Sequence, residues 1–375
     1  MFGKLLHFYV ATCCTFILQY TTDNVIIWGT GKASELIYNF LKKFNAHTNI
    51  KYYADNSSMK WNSKKYGLQI LSPKEVVKIV NENLNSNIII SSQYMVDIRK
   101  QLLSLGIKND VIDVKGYNLA KDYFRFKKET PYMAINSHIN EYEKVYSFLS
   151  DERSKEVYLG ILNCKISLDN KYLEGIADPE KEQYFDKKLI HIVEDEIFCD
   201  YGSYNGDTLE IFISLSNGKY KKYIAIEVDK EICTELHNKA VQNRYENIQI
   251  YNLACWNEKR ILKFQPAQTA SRVTENGEIS VQADTLDNIL KDEKVTFLKM
   301  DIEGAEQMVL KGASRIIKEN KPILAISIYH TLEDYYKIPI MIKELDPEYK
   351  IFIRHYRALL GQDTICYAIP KNRLK

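Results

Sequence analysis

The stretch Ile197–Glu210, IFCDYGSYNGDTLE, most constrains what this chain can fold into. It reads as a short apolar strand, Ile197-Phe198-Cys199, that ends in an acid, Asp200. A glycine turn follows from Gly202 to Gly206, then an amphipathic helix whose first apolar residues are Leu209, Ile211 and Phe212. A strand, a glycine loop and a helix start in this order build a polar pocket at the carboxyl edge of a parallel sheet. Gly202 and Gly206 let a ligand come close to the backbone, and the helix start offers N–H groups without intrahelical acceptors. Asp200 sets the stretch apart from a phosphate loop, because a carboxylate repels a pyrophosphate. It suits a ligand carrying an amine or a positive charge. An ordinary strand-to-helix turn has the same appearance, so the neighbouring segments must decide.

The chain has 375 residues, room for two or three domains of about 100–200 residues each. With 45% hydrophobic and 27% charged residues its composition is globular. A net charge of +2 gives no electrostatic case for nucleic acid. The seven cysteines are odd in number, scattered and without metal-ligand spacing, which fits reduced thiols in a cytosolic protein. Leu5 to Leu18 is apolar but contains His7 and falls short of the ~20 residues that cross a bilayer. No small-residue cleavage site follows it. The expectation is an N-terminal helix over residues 1–22, with peripheral membrane contact as the other reading and no integral span.

Residues 23–115 alternate strands and helices. Val25 to Trp28 is a buried strand, Gly29-x-Gly31 a turn, and the next residues an amphipathic helix. Ile50 to Ala54 is a second strand ending at Asp55, near where a dinucleotide fold places its ribose-binding acid, ~20 residues after the glycines. Ser34 stands where the third glycine belongs, so that fingerprint is incomplete. Ser72-Pro73 reads as an N-cap with proline at the first helical position. Asn87 to Ile90 and Val111 to Val114 are further strands, with a helix from Asp97 to Leu105 between them. The alternation predicts a parallel sheet. Residues 116–191 read as a helical connector, with helices over Asn140–Leu149 and Ser154–Leu162. Tyr184 and Phe185 near its end are aromatic anchors or, alternatively, line an acceptor site.

Residues 192–375 form the second domain. Tyr223 to Glu227 is a strand ending in an acid that can accept bonds from both hydroxyls of a ribose. Ile248 to Tyr251 is a third strand, and the small and aromatic residues from Asn252 to Trp256 suit an adenine. The run VTFLKMDIEGAEQMVLKGASRII then gives a strand, Val295 to Met300, and three carboxylates, Asp301, Glu303 and Glu306, in one turn. Such crowding is expensive. A solvated helix N-terminus accounts for Glu306 but not for Asp301 at a strand end. A strand from Pro322 to Tyr329 delivers His330 to the same edge. Lone histidines are usually structural, but this position makes His330 a candidate catalytic group. The helix Asp334–Leu345 and two antiparallel strands, Tyr349–Arg354 and Thr364–Ile369, close the domain.

The series FCDYGSYNGDT, IAIEVD, LACW, ADTLDNIL and FLKMDIEGAEQMVLKGA, with ISIYH, DYYKIPIMI and IFIRHY, resembles the FkbM-type methyltransferases. In the first domain IIWGTGKAS, YADN, GLQILSPKEV and IIISSQY resemble a small Rossmann-like nucleotide-sugar-binding domain. The resemblance implies an α/β chain of two Rossmann-like parallel-sheet domains joined by the helical connector, the second a seven-stranded class I methyltransferase fold. It implies S-adenosylmethionine as cofactor, whose ammonium and sulfonium fit the acid at Asp200. It also implies methyl transfer to a hydroxyl of a sugar or glycan precursor, in surface polysaccharide biosynthesis in the cytoplasm. Carried over, Asp200, Gly202 and Gly206 shape the methionine end of the cofactor site, Glu227 holds the ribose, and Ala254 and Cys255 lie near adenine. Asp301 sits at the reacting edge. Tyr201 and Ser203 flank Gly202 where small residues are usual, so a tighter loop is expected. His330 is the candidate base, with an unperturbed pKa near ~6.5. Asp301 either orients it or joins Glu303 in holding Mg²⁺. Arg354 and His355 are expected to meet a charged acceptor. Two other functions stay in view: an NAD-dependent dehydrogenase using Gly29-x-Gly31 and Asp55, and an NAD- or nucleotide-sugar-binding protein with a non-catalytic second domain. Homo-oligomerisation is left open.

Overall fold

Two α/β units, each built on a mostly parallel sheet, make up the computed structural model. It describes residues 24–374, apart from 44, 83–84, 93, 115, 126–130, 168–169, 266–271, 274–278 and 357–362. The helix expected over residues 1–22 lies outside the described residues. One unit takes the residues up to Ser137 together with Gly160–Glu174; the other takes His138–Leu159 and Gly175–Lys375. The residues read as a connector are thus divided between the two, and the helix Glu152–Ser167 contributes to both.

The first unit holds six strands: β1 (Asn24–Trp28), β2 (Ile50–Ala54), β3 (Lys64–Lys65), β4 (Leu68–Leu71), β5 (Ser86–Ile90) and β6 (Ile112–Asp113). Their order is β3-β4-β2-β1-β5-β6, and only β3 runs antiparallel to its neighbour. Val25–Trp28 and Ile88–Ile90 are buried throughout, as continuous apolar runs are when helices cover both faces of a parallel sheet. Helix α1 (Lys32–Lys43) buries Ile37, Phe40 and Leu41. Helix α2 (Pro73–Glu82) starts at the expected cap: Ser72 N and Oγ each donate to Glu75 Oε2 at 2.7 Å, a reciprocal box. Helix α3 (Met95–Ser104) follows β5.

The second unit is organised around β7 (Ile197–Tyr201), β8 (Lys222–Glu227) and β9 (Ile248–Asn252). A small group follows: β10 (Ala254–Cys255), β11 (Arg260–Gln265), β12 (Arg272–Val273) and β13 (Ile279–Asp284). Then come β14 (Phe297–Met300), β15 (Ile323–Ser327), β16 (Lys350–His355) and β17 (Thr364–Ile369). The main sheet has seven strands in the order β16-β17-β15-β14-β7-β8-β9, with β17 antiparallel to both neighbours. The chain order reverses at β7 and β14, which makes their shared carboxyl edge the topological switch point. A second, four-stranded sheet, β10-β13-β11-β12, was not anticipated: β11 buries only Leu262 and Phe264 among its described side chains and β13 only Ala283, so neither shows a continuous apolar run. The helices that position the site are α4 (Asp207–Ser216), α5 (Lys230–Gln242), α6 (Glu306–Lys311), α7 (Ser314–Asn320) and α8 (Asp334–Leu345). Helices α6 and α7 are two short helices rather than one continuous run. The chain breaks at Gly312, where a Cβ would lie 2.1 Å from the Trp256 carbonyl oxygen.

Of the two readings of Phe185, the anchor holds: it packs in the core with Phe198, Phe212 and Phe297. The acceptor contact expected of Arg354 and His355 does not hold. Arg354 is buried, with Nε 3.1 Å from Asp186 Oδ2 and Nη2 2.6 Å from Asp151 Oδ2. A guanidinium held by two carboxylates is a structural clamp rather than a ligand contact. His355 is buried as well, with Nδ1 2.9 Å from Thr364 Oγ1.

Candidate active site

The carboxyl edge of β7 opens into the glycine loop. Gly202 has φ +79°, and a Cβ there would sit 2.0 Å from the Asp301 carbonyl oxygen. The loop backbone therefore lies directly against the end of β14, a closeness only glycine allows. Gly206, also at φ +79°, is the N-cap of α4.

Asp200 is fully buried beneath this loop and does not face a ligand. Its Oδ1 pairs with Lys299 Nζ at 2.8 Å, and the Tyr223 hydroxyl donates to its Oδ2. Lys299 also donates to Gly202 O at 2.6 Å. Burial works against the Lys299 ammonium, but Asp200 outweighs it and keeps the amine charged. The acid thus acts on the loop through a buried cation, since both its oxygens are already partnered. Lys299 and Tyr223 escaped the sequence reading. A lysine inside FLKM, an otherwise apolar strand, was the available signal.

Glu227 stands at the end of β8, as expected. Its Oε1 accepts from Val228 N at 2.8 Å and Asp229 N at 3.1 Å, which fixes the carboxyl at the sheet edge. Asp229 caps α5 through Glu231 N and Ile232 N. Ala254 and Cys255 lie on β10 with both side chains buried. Their nearness to the loop comes from the backbone: Cys255 N donates to Tyr201 Oη at 2.8 Å. Burial pushes the Cys255 thiol far above its ordinary pKa, so it is an inert packing group.

The acidic turn after β14 meets His330 from beyond β15. Asp301 accepts from Tyr184 Oη at 2.6 Å and from Tyr329 Oη at 3.1 and 3.2 Å. His330 Nε2 lies 3.4 Å from Asp301 Oδ1 and 3.8 Å from Glu303 Oε2, while Nδ1 lies 3.0 Å from Glu306 Oε1. Glu306 is 0% exposed and His330 5%. Ile302 N donates to the same Glu306 oxygen at 2.9 Å. This overturns the solvated-terminus account of Glu306: the glutamate is the most buried of the three acids and answers to the histidine. Burial alone would lower the His330 pKa, but the bond to Glu306 and the charges of Asp301 and Glu303 raise it to about 9. His330 is therefore an imidazolium at neutral pH, not a group poised near 6.5. Behind it, Asp334 is buried next to Glu306, which together raise its pKa to about 6. Gln307 Nε2 and Thr331 N donate to it at 2.7 and 2.8 Å.

The Asp301–Glu303 pairing does not fit Mg²⁺. The carboxyl and imidazole atoms that do converge, within 4.8 Å of one another, belong to Asp301, Glu306 and His330. His330 puts an imidazole nitrogen into that set, and Asp301 already accepts from two tyrosines. Mg²⁺ prefers an octahedron of oxygens and water.

Comparison with known proteins agrees with this architecture. Residues 200–355 match the family model of the Methyltransferase FkbM domain, and residues 21–112 match a model described as C2185-like, N-terminal. No curated protein gives a sequence match. The crystal structure of methyltransferase FkbM from Methylobacillus flagellatus KT aligns with a TM-score of 0.70 at 21% identity, over 97% of this chain and 95% of that one. That likeness extends the shared fold over nearly the whole chain. An rRNA methylase from Streptococcus thermophilus aligns at TM-score 0.33 and 15% identity, over 51% of this chain and 93% of its own. Aeropyrum pernix fibrillarin, solved with S-adenosyl-L-methionine natively bound, aligns at TM-score 0.33 and 15% identity, over 50% and 76%.

Proposed function

We propose that this chain, a methyltransferase by the FkbM domain at residues 200–355, methylates a hydroxyl of a sugar or glycan precursor with S-adenosylmethionine. The observation that carries this reading is the buried Glu306–His330 pair, set beside Asp301 at the edge where the glycine loop opens.

The donor set suits the cofactor. Gly202 lets the loop pack directly against the end of β14, Glu227 offers a carboxyl to a ribose diol, and Asp301 and Glu303 bring negative charge to a cationic ligand. When bound, S-adenosylmethionine supplies an electrophilic methyl carbon. The residues of the chain supply alignment and a base. Holding the acceptor hydroxyl in line provides much of the rate. Neutral His330 takes the hydroxyl proton at Nε2, while Glu306 at Nδ1 fixes the ring and balances the imidazolium that forms. Because His330 rests protonated at neutral pH, the reaction quickens as pH rises toward 9.

The sugar is supported by the first unit. A cavity of about 740 Å³ at the carboxyl ends of β1 and β5 is lined by Gly29, Thr30, Asp55, Asn56, Ser92 and Tyr117, among others. Its size and polarity suit a nucleotide-linked acceptor. NAD fits it less well. Asp55 already accepts from Thr30 Oγ1, Lys60 Nζ and Ser57 N, and Ser34 Oγ donates to Gly31 O where a third glycine would sit. Among the described residues no helix is long and apolar enough to cross a membrane. The test is methyl transfer from tritiated S-adenosylmethionine to a panel of nucleotide-linked and free neutral sugars. O-methylated sugar that depends on His330 is expected. Label recovered in an N-methylated product would contradict the assignment.

A further inference from the structure

Tyr184 lies outside the residues that match the FkbM domain, yet it touches both halves of the site. Its hydroxyl donates to Asp301 Oδ2 at 2.6 Å, and its ring carries the Lys299 ammonium 4.9 Å from the centroid. Lys299 in turn pairs with Asp200 and holds the Gly202 carbonyl. The backbone keeps Tyr184 at φ +65°, a left-handed conformation that costs a bulky residue about 1 kcal/mol or more. The neighbours pay for it: Phe185 is seated in the core, Asp186 is clamped by Arg354, and Gln183 Nε2 reaches both Tyr184 Oη at 3.2 Å and Asp363 Oδ1 at 3.1 Å.

We propose that Tyr184 is a positioning residue for the methyl-transfer site, one side chain that sets the glycine loop through Lys299 and the reacting-edge acid through Asp301. The inference rests on the methyltransferase reading above. With Tyr184 and Tyr329 both donating to it, the two Asp301 oxygens are held in place by hydrogen bonds. Asp301 then serves as the fixed counter-charge to His330 and leaves proton transfer to the histidine. Burial and the adjacent Asp301 keep the Tyr184 phenol protonated, as a donor must be. The charged or titratable groups facing His330 are Glu306 from α6, Asp301 and Glu303 from the turn before it, and Tyr329 beside it. Asp334 of α8 lies behind Glu306, and Lys299 faces Asp301 from β14.

The roles of ring and hydroxyl separate in two variants. Tyr184→Phe keeps the ring under Lys299 and loses the bond to Asp301. Tyr184→Leu loses both. The first readout is the His330 imidazole titration, followed by NMR on the full-length, histidine-labelled protein and assigned with His330→Asn. Removing a donor from Asp301 strengthens its field on His330, so the midpoint rises in both variants, by about half a pH unit. Tyr329→Phe removes the other donor without touching Lys299 and raises the midpoint too, which keeps the test alive should Tyr184→Leu not fold. The second readout is calorimetric binding of S-adenosylmethionine. Tyr184→Phe stays within about twofold of wild type, and Tyr184→Leu weakens binding about threefold or more, as loss of a cation–π contact implies. Unchanged His330 midpoints in Tyr184→Phe and Tyr329→Phe would overturn the proposal. Failure of wild type to bind the cofactor would count against the methyltransferase chemistry itself, while the titration still decides the role of Tyr184.

Discussion

His330 Nδ1 lies 3.0 Å from Glu306 Oε1, an oxygen that Ile302 N also holds at 2.9 Å. The histidine thus leans on a buried carboxylate that the backbone has already fixed. This is the arrangement that orients an imidazole and strengthens it as a base.

The rate should therefore depend on pH in a specific way. Wild-type kcat/KM for methyl transfer rises from pH 6.5 and levels off near 9, where His330 loses its proton. Glu306→Gln removes the counter-charge, so the rising limb moves to lower pH and the plateau drops about 10- to 100-fold. A pH–rate profile of both proteins checks this; coincident limbs would remove Glu306 from the mechanism.

Stability should run the other way. A His330 pKa raised to about 9 stabilises the fold fully below its unfolded value, near 6.5, and the contribution is lost as pH rises through 9. Urea unfolding at pH 6.5 and 9.5 should show wild type losing up to about 3 kcal/mol more than His330→Asn between the two.

Gly202→Ala should be severe. The added methyl would meet the Asp301 carbonyl oxygen at 2.0 Å from a backbone held at φ +79°. The expected result is a loss of at least about 2 kcal/mol in unfolding free energy, with cofactor binding abolished. Native-like binding in this variant would show that the loop does not lie where it is described.

Arg354→Met should report on the fold rather than on the acceptor. It leaves Asp186 and Asp151 facing a buried apolar side chain, at a cost of about 3–5 kcal/mol. Thermal unfolding measures the loss. A variant of wild-type stability with a raised acceptor KM would return Arg354 to the ligand-contact role.

Much of this could be read from residues alone, because the signals are local. An apolar run, a glycine pair and a strand-end acid mark β7, α4 and Glu227 wherever they occur. The alternation of strands and helices gives the parallel sheets. What escaped reading is set by side chains that meet from far along the chain. Asp200 looks like a ligand contact until Lys299, 99 positions on, is found beneath it. Glu306 looks like a solvated helix start until His330 folds over it. Arg354 carries no local mark of Asp151 and Asp186. The ~6.5 assigned to His330 failed for the same reason, since three acids from another segment raise it. The strand β11 was missed because it lies outside the main sheet and buries only Leu262 and Phe264, too few to stand out as an apolar run.

The most direct test of the central claim is calorimetric titration of S-adenosylmethionine into the full-length protein and into Glu227→Gln, which retains an oxygen for the Val228 and Asp229 N–H groups. Saturable one-site binding to wild type, weakened about tenfold or more in the variant, is the predicted result, since a lost charge-assisted hydrogen bond is worth ~1.5–3 kcal/mol. Equal binding by the two proteins, or none by wild type, would contradict the assignment of the cofactor site to the edge of β7 and β8.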